Sequence, residues 1–282
     1  PIELLRFGAR GRALPARPAR DIRVDAMLPG SSVQRPDGGA YIVTTDSRLH
    51  AVRPDGLPDW TFGGGAVSVD AFSGRYQYGI GPIALRPDGR VLVTGEWDDR
   101  PVLVQLTRRG RLDRRFGARG MVRLPFAVEA VRVLRGGDIV GASGSPLRAF
   151  RLSRTGARRR RFGRRGVARA RGVPRACCHS AEDVVDDARG RLYLLAGNHV
   201  AALSRAGRPL RRFGAGGAVA LTGGRPLVRT PRGDLLIDSR GGLLAIGSIV
   251  VGAAPARCTE REDLCPRQPP PEAQLAVWRV HL

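Results

Sequence analysis

The stretch Leu112-Asp113-Arg114-Arg115-Phe116-Gly117-Ala118-Arg119-Gly120 decides the fold, because close relatives of it occur at four other places in the chain. Its Phe-Gly core returns at Phe7, Phe62, Phe162 and Phe213, and the successive intervals are 55, 54, 46 and 51 residues. Self-similarity at such a period marks supersecondary units stacked into a solenoid, an array or a propeller. Phe7, Phe62, Phe116, Phe162 and Phe213 are therefore read as structural repeat anchors.

Around each anchor the same grammar recurs, most clearly in the second repeat. Ala66 to Val69 alternates as a short strand, Pro82 to Leu85 starts another, and Arg86-Pro87-Asp88-Gly89 turns the chain into Val91 to Thr94. A loop then leads to Val102 to Leu106. Asp-Gly between alternating apolar runs is a strong hairpin signal, since Gly accepts the positive φ that the turn demands. Related turns stand at Arg35-Pro36-Asp37-Gly38, Arg135-Gly136-Gly137-Asp138, Ala188-Arg189-Gly190 and Ser239-Arg240-Gly241-Gly242. Helical periodicity is nowhere sustained.

Four antiparallel strands per unit of about 50 residues cannot bury both faces alone and should pack sheet on sheet. The expected fold is all-β: a single-domain β-propeller over 1–282 with about five blades at 8–61, 62–115, 116–161, 162–212 and 213–282. A sixth is possible if the long last unit, with its apolar run at Pro226–Arg229, hides a degenerate one.

Composition agrees with many short strands. The chain is 42% apolar with 5% aromatic residues, 38 Gly and 21 Pro, which suits tight turns better than long helices. No apolar run reaches the roughly 18 residues of a membrane span. The formal charge is +23, which points to polyanions. Every one of the 48 basic residues is Arg, beside a single Asn (Asn198), so part of this charge reflects compositional drift.

The sequence opens at Pro1 without a basic-then-apolar leader, the expectation being an exported chain, secreted or held in the cell envelope, whose signal peptide has been removed. Cys177, Cys178, Cys258 and Cys265 form an even set, read in that setting as disulfide cysteines with pairing open. They lack the spacing of a zinc site. No metal and no cofactor is expected, and a monomer is.

If strands run outward from the axis, the repeated turns and the Phe-Gly elements share one face. The irregular insertions Arg12–Gly30, Asp70–Gly81, Glu96–Arg100, Arg171–Asp183 and Gly252–Gln274 share the other. Function concentrates on loops held by a rigid scaffold. The candidate ligand set there is Tyr76, Tyr78, Glu96, Trp97, Asp98, Asp99, His179, Glu182 and Asp183. The rings supply flat contact area, and the acids suit a cation or sugar hydroxyls. No catalytic residue is assigned: Cys178 beside His179 is the one tempting pair, and strand neighbours point to opposite faces.

The opposite face carries arginine. Arg114, Arg115, Arg158, Arg159, Arg160, Arg161, Arg211 and Arg212 flank the anchors, and guanidinium forks match phosphate and carboxylate oxygens. Aromatic residues interleaved for base stacking are not evident there, which argues against single-stranded nucleic acid.

Phe-Gly-x-x-Gly followed by a strand, the run Leu85 to Gly95 (apolar-Arg-Pro-Asp-Gly-Arg-Val-Leu-Val-x-Gly), and Val104 to Gly117 ending in Leu-Asp-x-x-Phe-Gly together resemble the delta-60 repeat family of bacterial, often exported, propeller-like proteins. The resemblance spans five copies. It departs at Phe62-Gly63-Gly64-Gly65, one residue short, and in the Arg that replaces small polar residues before Phe-Gly. It implies the fold and export, and carries over no catalytic residues. The functional expectation is an exported, non-enzymatic module that binds a protein or glycan through the variable-loop face. The alternatives are a propeller hydrolase or lyase with a carboxylate or His site on that face, and binding of an anionic polymer by the arginine-rich turns.

Overall fold

In a computed structural model of the chain, the described residues are 2–7, 13–19, 27–44, 47–68, 81–144, 146–174, 180–221, 234–251 and 272–280, with side chains described outside 2–31 and 247–278. The fold is all-β and of the β-propeller class. A hairpin of β1 (Ile2–Phe7) and β2 (Ala13–Ala19) comes first. The first sheet follows with β3 (Met27–Gln34), β4 (Ala40–Thr44), β5 (Arg48–Val52) and β6 (Ala66–Ser68). The second has β7 (Ile83–Leu85), β8 (Val91–Trp97), β9 (Arg100–Leu106) and β10 (Met121–Arg123). The third has β11 (Ala130–Val133), β12 (Ile139–Ser143), β13 (Arg148–Leu152) and β14 (Val167–Arg169). The fourth has β15 (Ala181–Asp186), β16 (Leu192–Ala196), β17 (His199–Leu203) and β18 (Ala218–Ala220). A three-stranded fifth has β19 (Asp234–Ile237), β20 (Leu243–Val251) and β21 (Glu272–Val280). All the strand pairs are antiparallel neighbours in sequence, and the five sheets match the expected blade count.

The expected blade bounds need one correction. The strand after each Phe-Gly closes the sheet before it and does not open the next: β6 pairs with β5 (Arg48↔Ser68, His50↔Ala66), and β10 pairs with β9 (Met121↔Val104). The anchor thus joins the third and fourth strands of one sheet. A short alternating run such as Ala66–Ser68 satisfies either partner by periodicity, so the pattern alone does not choose. Phe7, the first anchor of the sequence pattern, lies in β1 opposite Ala13.

The chain divides into two compact units, 1–143 with 148–168, and 144–147 with 169–282. In the first unit the second sheet is buried on both faces. Val91, Val93, Val102, Val104 and Leu106 pack with Tyr41, Val43, Leu49 and Phe62 of the first sheet. Their alternate neighbours Leu92 and Leu103 pack with Phe126, Ile139 and Phe150. The two-residue period of a strand is what sends adjacent apolar residues into two different cores.

Phe62 and Phe116 are the pegs that belong to these cores, at 0% and 1% exposure. Gly63 N–H donates to the Arg109 carbonyl (3.1 Å) and Gly117 N–H to the Thr155 carbonyl (2.9 Å), each in a turn of the following sheet. Gly156 holds φ +88°, and a Cβ there would meet Val122 Cγ2 at 2.5 Å and the Phe116 ring at 3.1 Å, which is why that turn needs Gly. At Phe62 and Phe116 the anchor thus ties its own sheet to the following one.

In the second unit, Tyr193, Leu195 and Val200 of the fourth sheet pack with Leu235, Leu243 and Val280 of the fifth, and the half-buried Phe213 ring lies tilted against Tyr193 with centroids 5.7 Å apart.

Candidate functional site

The best-defined chemistry lies where the Arg-Pro-Asp-Gly turns meet the Phe-Gly elements. In the second sheet, β9 runs into the turn Thr107–Gly110, and the chain folds back so that Asp113 N–H donates to the Gln105 carbonyl (2.8 Å) and Phe116 N–H to the Asp113 carbonyl (3.0 Å). This places the Asp113 carboxylate over the first turn. It accepts from Gln105 Nε2 at 2.7 Å and pairs with Arg90 Nε at 3.0 Å. Arg86 Nη1 donates to Gln105 Oε1 (3.3 Å) and to the Arg154 carbonyl of the third sheet (2.8 Å).

Asp59 and Arg159 hold the same backbone position, donating N–H to the carbonyls of Ala51 (2.8 Å) and Arg151 (2.9 Å). Asp59 pairs with Arg35 at 2.6 Å. Arg159 pairs with Asp138 at 2.7 Å, and Arg151 reaches the same carboxylate at 2.9 Å. Burial pushes the Asp138 carboxyl up, but hydrogen bonds from Arg159 and Arg151 and their charges more than reverse this and leave it below the usual carboxylate range. Asp59 behaves likewise, with Thr61 and Arg35 as the lowering partners. In the second unit Leu210 takes this position, donating N–H to the Ala202 carbonyl at 3.0 Å. There Asp187 pairs with Arg191 at 2.5 Å and accepts from the Tyr193 hydroxyl at 3.2 Å.

The described acids at this end of the first unit are thus engaged: Asp37 with Arg35 (2.8 Å), Asp55 with Arg53 (3.0 Å), Asp88 with Arg90 (2.7 Å), and Asp59, Asp113 and Asp138 as above. Arg114, Arg115, Arg158, Arg160 and Arg161 stay exposed, and their side chains make no ion pair with a described residue. Arg159, expected among them, is committed to Asp138. Two further arginines join the surface. Arg119 and Arg165 are exposed and held at φ +55° and +52°, where the fourth sheet has Gly216 at +68°. A left-handed conformation costs a side-chain-bearing residue about 1–2 kcal/mol. Arg211 and Arg212, in the second unit, are likewise exposed and unpaired among the described residues.

Trp60 is a residue that the sequence pattern does not single out. It stands two places before Phe62, in the column of Arg114, Arg160 and Arg211, and is 68% exposed. Aligning the repeats on Phe-Gly reveals it.

The loop-face candidates separate. Glu96 and Trp97 end β8, and Asp98 and Asp99 form a two-residue hairpin with φ of +48° and +56°, the signature of a type I′ turn. Trp97 packs half-buried against the first core. Glu182 is half-buried on β15. Asp183, 4% exposed, accepts Val184 N–H (2.7 Å) and Leu235 N–H (2.9 Å), so its carboxylate latches the fourth sheet to the fifth. Tyr76, Tyr78, His179 and all four cysteines lie outside the described residues. Among the described residues no group of three or more His, Cys, Asp or Glu is placed to hold a metal ion. No helix among them is long and apolar enough to cross a membrane.

No family profile and no curated protein matches the chain. Solved structures do resemble it. A calcium-binding protein, regucalcin, from Agrobacterium tumefaciens is 12% identical with a TM-score of 0.49, over 93% of this chain and 77% of that one. A gluconolactonase from Xanthomonas campestris is 13% identical at 0.46, over 77% and 68%. A protein of unknown function from Bacteroides caccae is 14% identical at 0.44, over 78% of this chain and 63% of that one, so the chain spans under two thirds of its length. At this identity and these scores the likenesses say nothing of activity.

Proposed function

We propose that the protein is a non-enzymatic binding module that holds an anionic polymer at the arginine-lined end of its sheets. One observation carries the reading: the described acids at that end of the first unit are engaged in ion pairs, which leaves Arg114, Arg115, Arg160 and Arg161 exposed without acidic partners among the described residues. Unpaired like charges on neighbouring turns repel and do not help folding. Arg119 and Arg165 add a local conformational cost for two more guanidinium groups. Neither feature is explained by stability, and both suit carboxylate, sulfate or phosphate oxygens bound by guanidinium forks. An exported setting, as the sequence leads one to expect, would present this surface to the anionic polymers of a cell envelope.

Arginine footprinting tests this. Phenylglyoxal modification with and without a soluble polyanion, read by peptide mass mapping, should show protection at Arg114, Arg115, Arg160 and Arg161 and none at Arg100 and Arg123. Arg100 and Arg123 lie at the opposite end of the second sheet, where β10 runs back along β9. Equal protection at both ends would refute the reading.

A further inference from the structure

We infer that Trp60 is a stacking subsite for one sugar ring of an anionic polysaccharide, set among the arginines of the first unit. The inference rests on the polyanion reading above and sharpens it to a ligand class.

The indole is exposed yet held. A Cβ built on Gly65 would lie 3.2 Å from Trp60 Cε3, 3.3 Å from Cζ3 and 3.4 Å from Pro58 Cβ, so the six-membered ring rests against the Gly65 backbone beside Pro58. At the matching glycines of the next two sheets, Gly120 and Gly166, the nearest side-chain carbons belong to Leu112 and Arg158, which hold the position of Pro58. The first sheet therefore has a ring where its neighbours have Arg114 and Arg160, and the ring remains 68% exposed. A Trp fixed in this way presents large, flat, amphipathic area at low entropic cost on binding.

The turn of the neighbouring sheet that meets it carries arginine. Gly63 N–H donates to the Arg109 carbonyl at 3.1 Å, which brings the Arg108-Arg109 turn of the second sheet against the turn that carries Trp60. Arg109 is exposed, and Arg108, also exposed, donates from Nε to the Asp88 carbonyl of its own sheet. A ring platform beside guanidinium groups fits a polymer whose rings bear carboxylate or sulfate.

Sugar is favoured over nucleobase by the row itself. Sequence-tolerant binding of single-stranded nucleic acid stacks successive bases on successive aromatic residues. Here the equivalent positions in the next two sheets are Arg114 and Arg160, and the Phe62, Phe116 and Phe162 rings are buried at 0%, 1% and 3% exposure. The described row offers one platform and several charges.

The test compares wild type, Trp60→Ala and Trp60→Phe for binding to a heparin oligosaccharide and to oligo-dT across a salt series. Thermal melts confirm that the exposed substitution leaves the fold intact. Expected is an about tenfold loss of heparin affinity in Trp60→Ala, near-complete retention in Trp60→Phe, and an unchanged salt slope, since no charge is removed. The Trp60 fluorescence should shift on heparin binding in wild type. If Trp60→Ala binds heparin as wild type does, while arginine variants weaken it, the stacking subsite is overturned and the polyanion reading stands. If the substitution weakens oligo-dT more than heparin, the glycan assignment is overturned. If wild type binds neither polymer, both readings fall together.

Discussion

Asp138 and Arg159 meet at 2.7 Å in the third sheet at the positions that Arg90 and Asp113 occupy, 3.0 Å apart, in the second, with the signs of charge exchanged. The acid moves from the Phe-Gly side to the turn side, and the base moves the other way. Both sheets keep a charge-assisted bond that ties the first turn to the chain before the anchor. Asp138 is the more deeply set partner, with its side chain 11% exposed against 53% for Arg159, and it serves Arg151 as well. Asp138→Ala should cost roughly 1–3 kcal/mol by removing the acceptor that Arg151 and Arg159 share, and Arg159→Ala under about 1 kcal/mol because it is a half-exposed partner. Urea unfolding midpoints compare the two.

The same carboxylates set the acid limit of stability. Asp59, Asp88, Asp138 and Asp187 all sit below the ordinary aspartate range: burial raises each, and hydrogen bonds and charges from Thr61, Arg35, Arg90, Arg86, Arg159, Arg151, Arg191 and Tyr193 more than reverse it. A lowered folded value means stability that is complete above the unfolded value of about 3.9 and lost as pH falls through the lower folded values. Unfolding midpoints should hold from neutral pH to about 5 and then decline. Asp138→Asn should flatten part of that decline, and a midpoint that rises on acidification would contradict the assignment.

Phe116→Ala should cost about 3–5 kcal/mol, because the ring is fully buried in a core shared by two sheets. Polyanion affinity per folded molecule should be unchanged, since the ring offers no surface to a ligand.

Arg119→Gly and Arg165→Gly each relieve a left-handed side chain and should raise stability by up to about 1 kcal/mol, while each lowers polyanion affinity. Paired melts and binding isotherms on the same samples would show the two effects moving in opposite directions. A gain in both would remove these arginines from the binding surface.

Asp183→Ala should destabilise by about 1–3 kcal/mol by leaving the buried Leu235 N–H without its acceptor. Its polyanion binding should match wild type.

The strands and turns are legible in the sequence because Asp-Gly and alternation act locally: the Arg86 to Gly89 turn lies where the pattern places it, and the loop between β8 and β9 closes at Asp98-Asp99. The partner of Ala66–Ser68 is not, because three alternating residues suit either neighbour and only the fold-back through Asp59 and Phe62 decides. The exchanged pair Asp138–Arg159 hides in the repeat alignment, since each column alone shows only a missing charge. Trp60 is masked as a lone aromatic in a column of Arg. Asp183 has the sequence setting of a loop acid, and its bond to Leu235 places it inside.

The most direct measurement is the salt dependence of heparin affinity for wild type, for Arg114, Arg115, Arg160 and Arg161 changed together to Gln, and for a control with Arg100 and Arg123 changed to Gln. Each guanidinium removed from the bound polymer should lower the slope of log affinity against log salt by about 1 unit or less. The account predicts a shallower slope and a large affinity loss in the first variant, with the control close to wild type. Equal losses per charge removed from either end would mean that the net charge of +23 alone drives binding, and would contradict a site on the turn end.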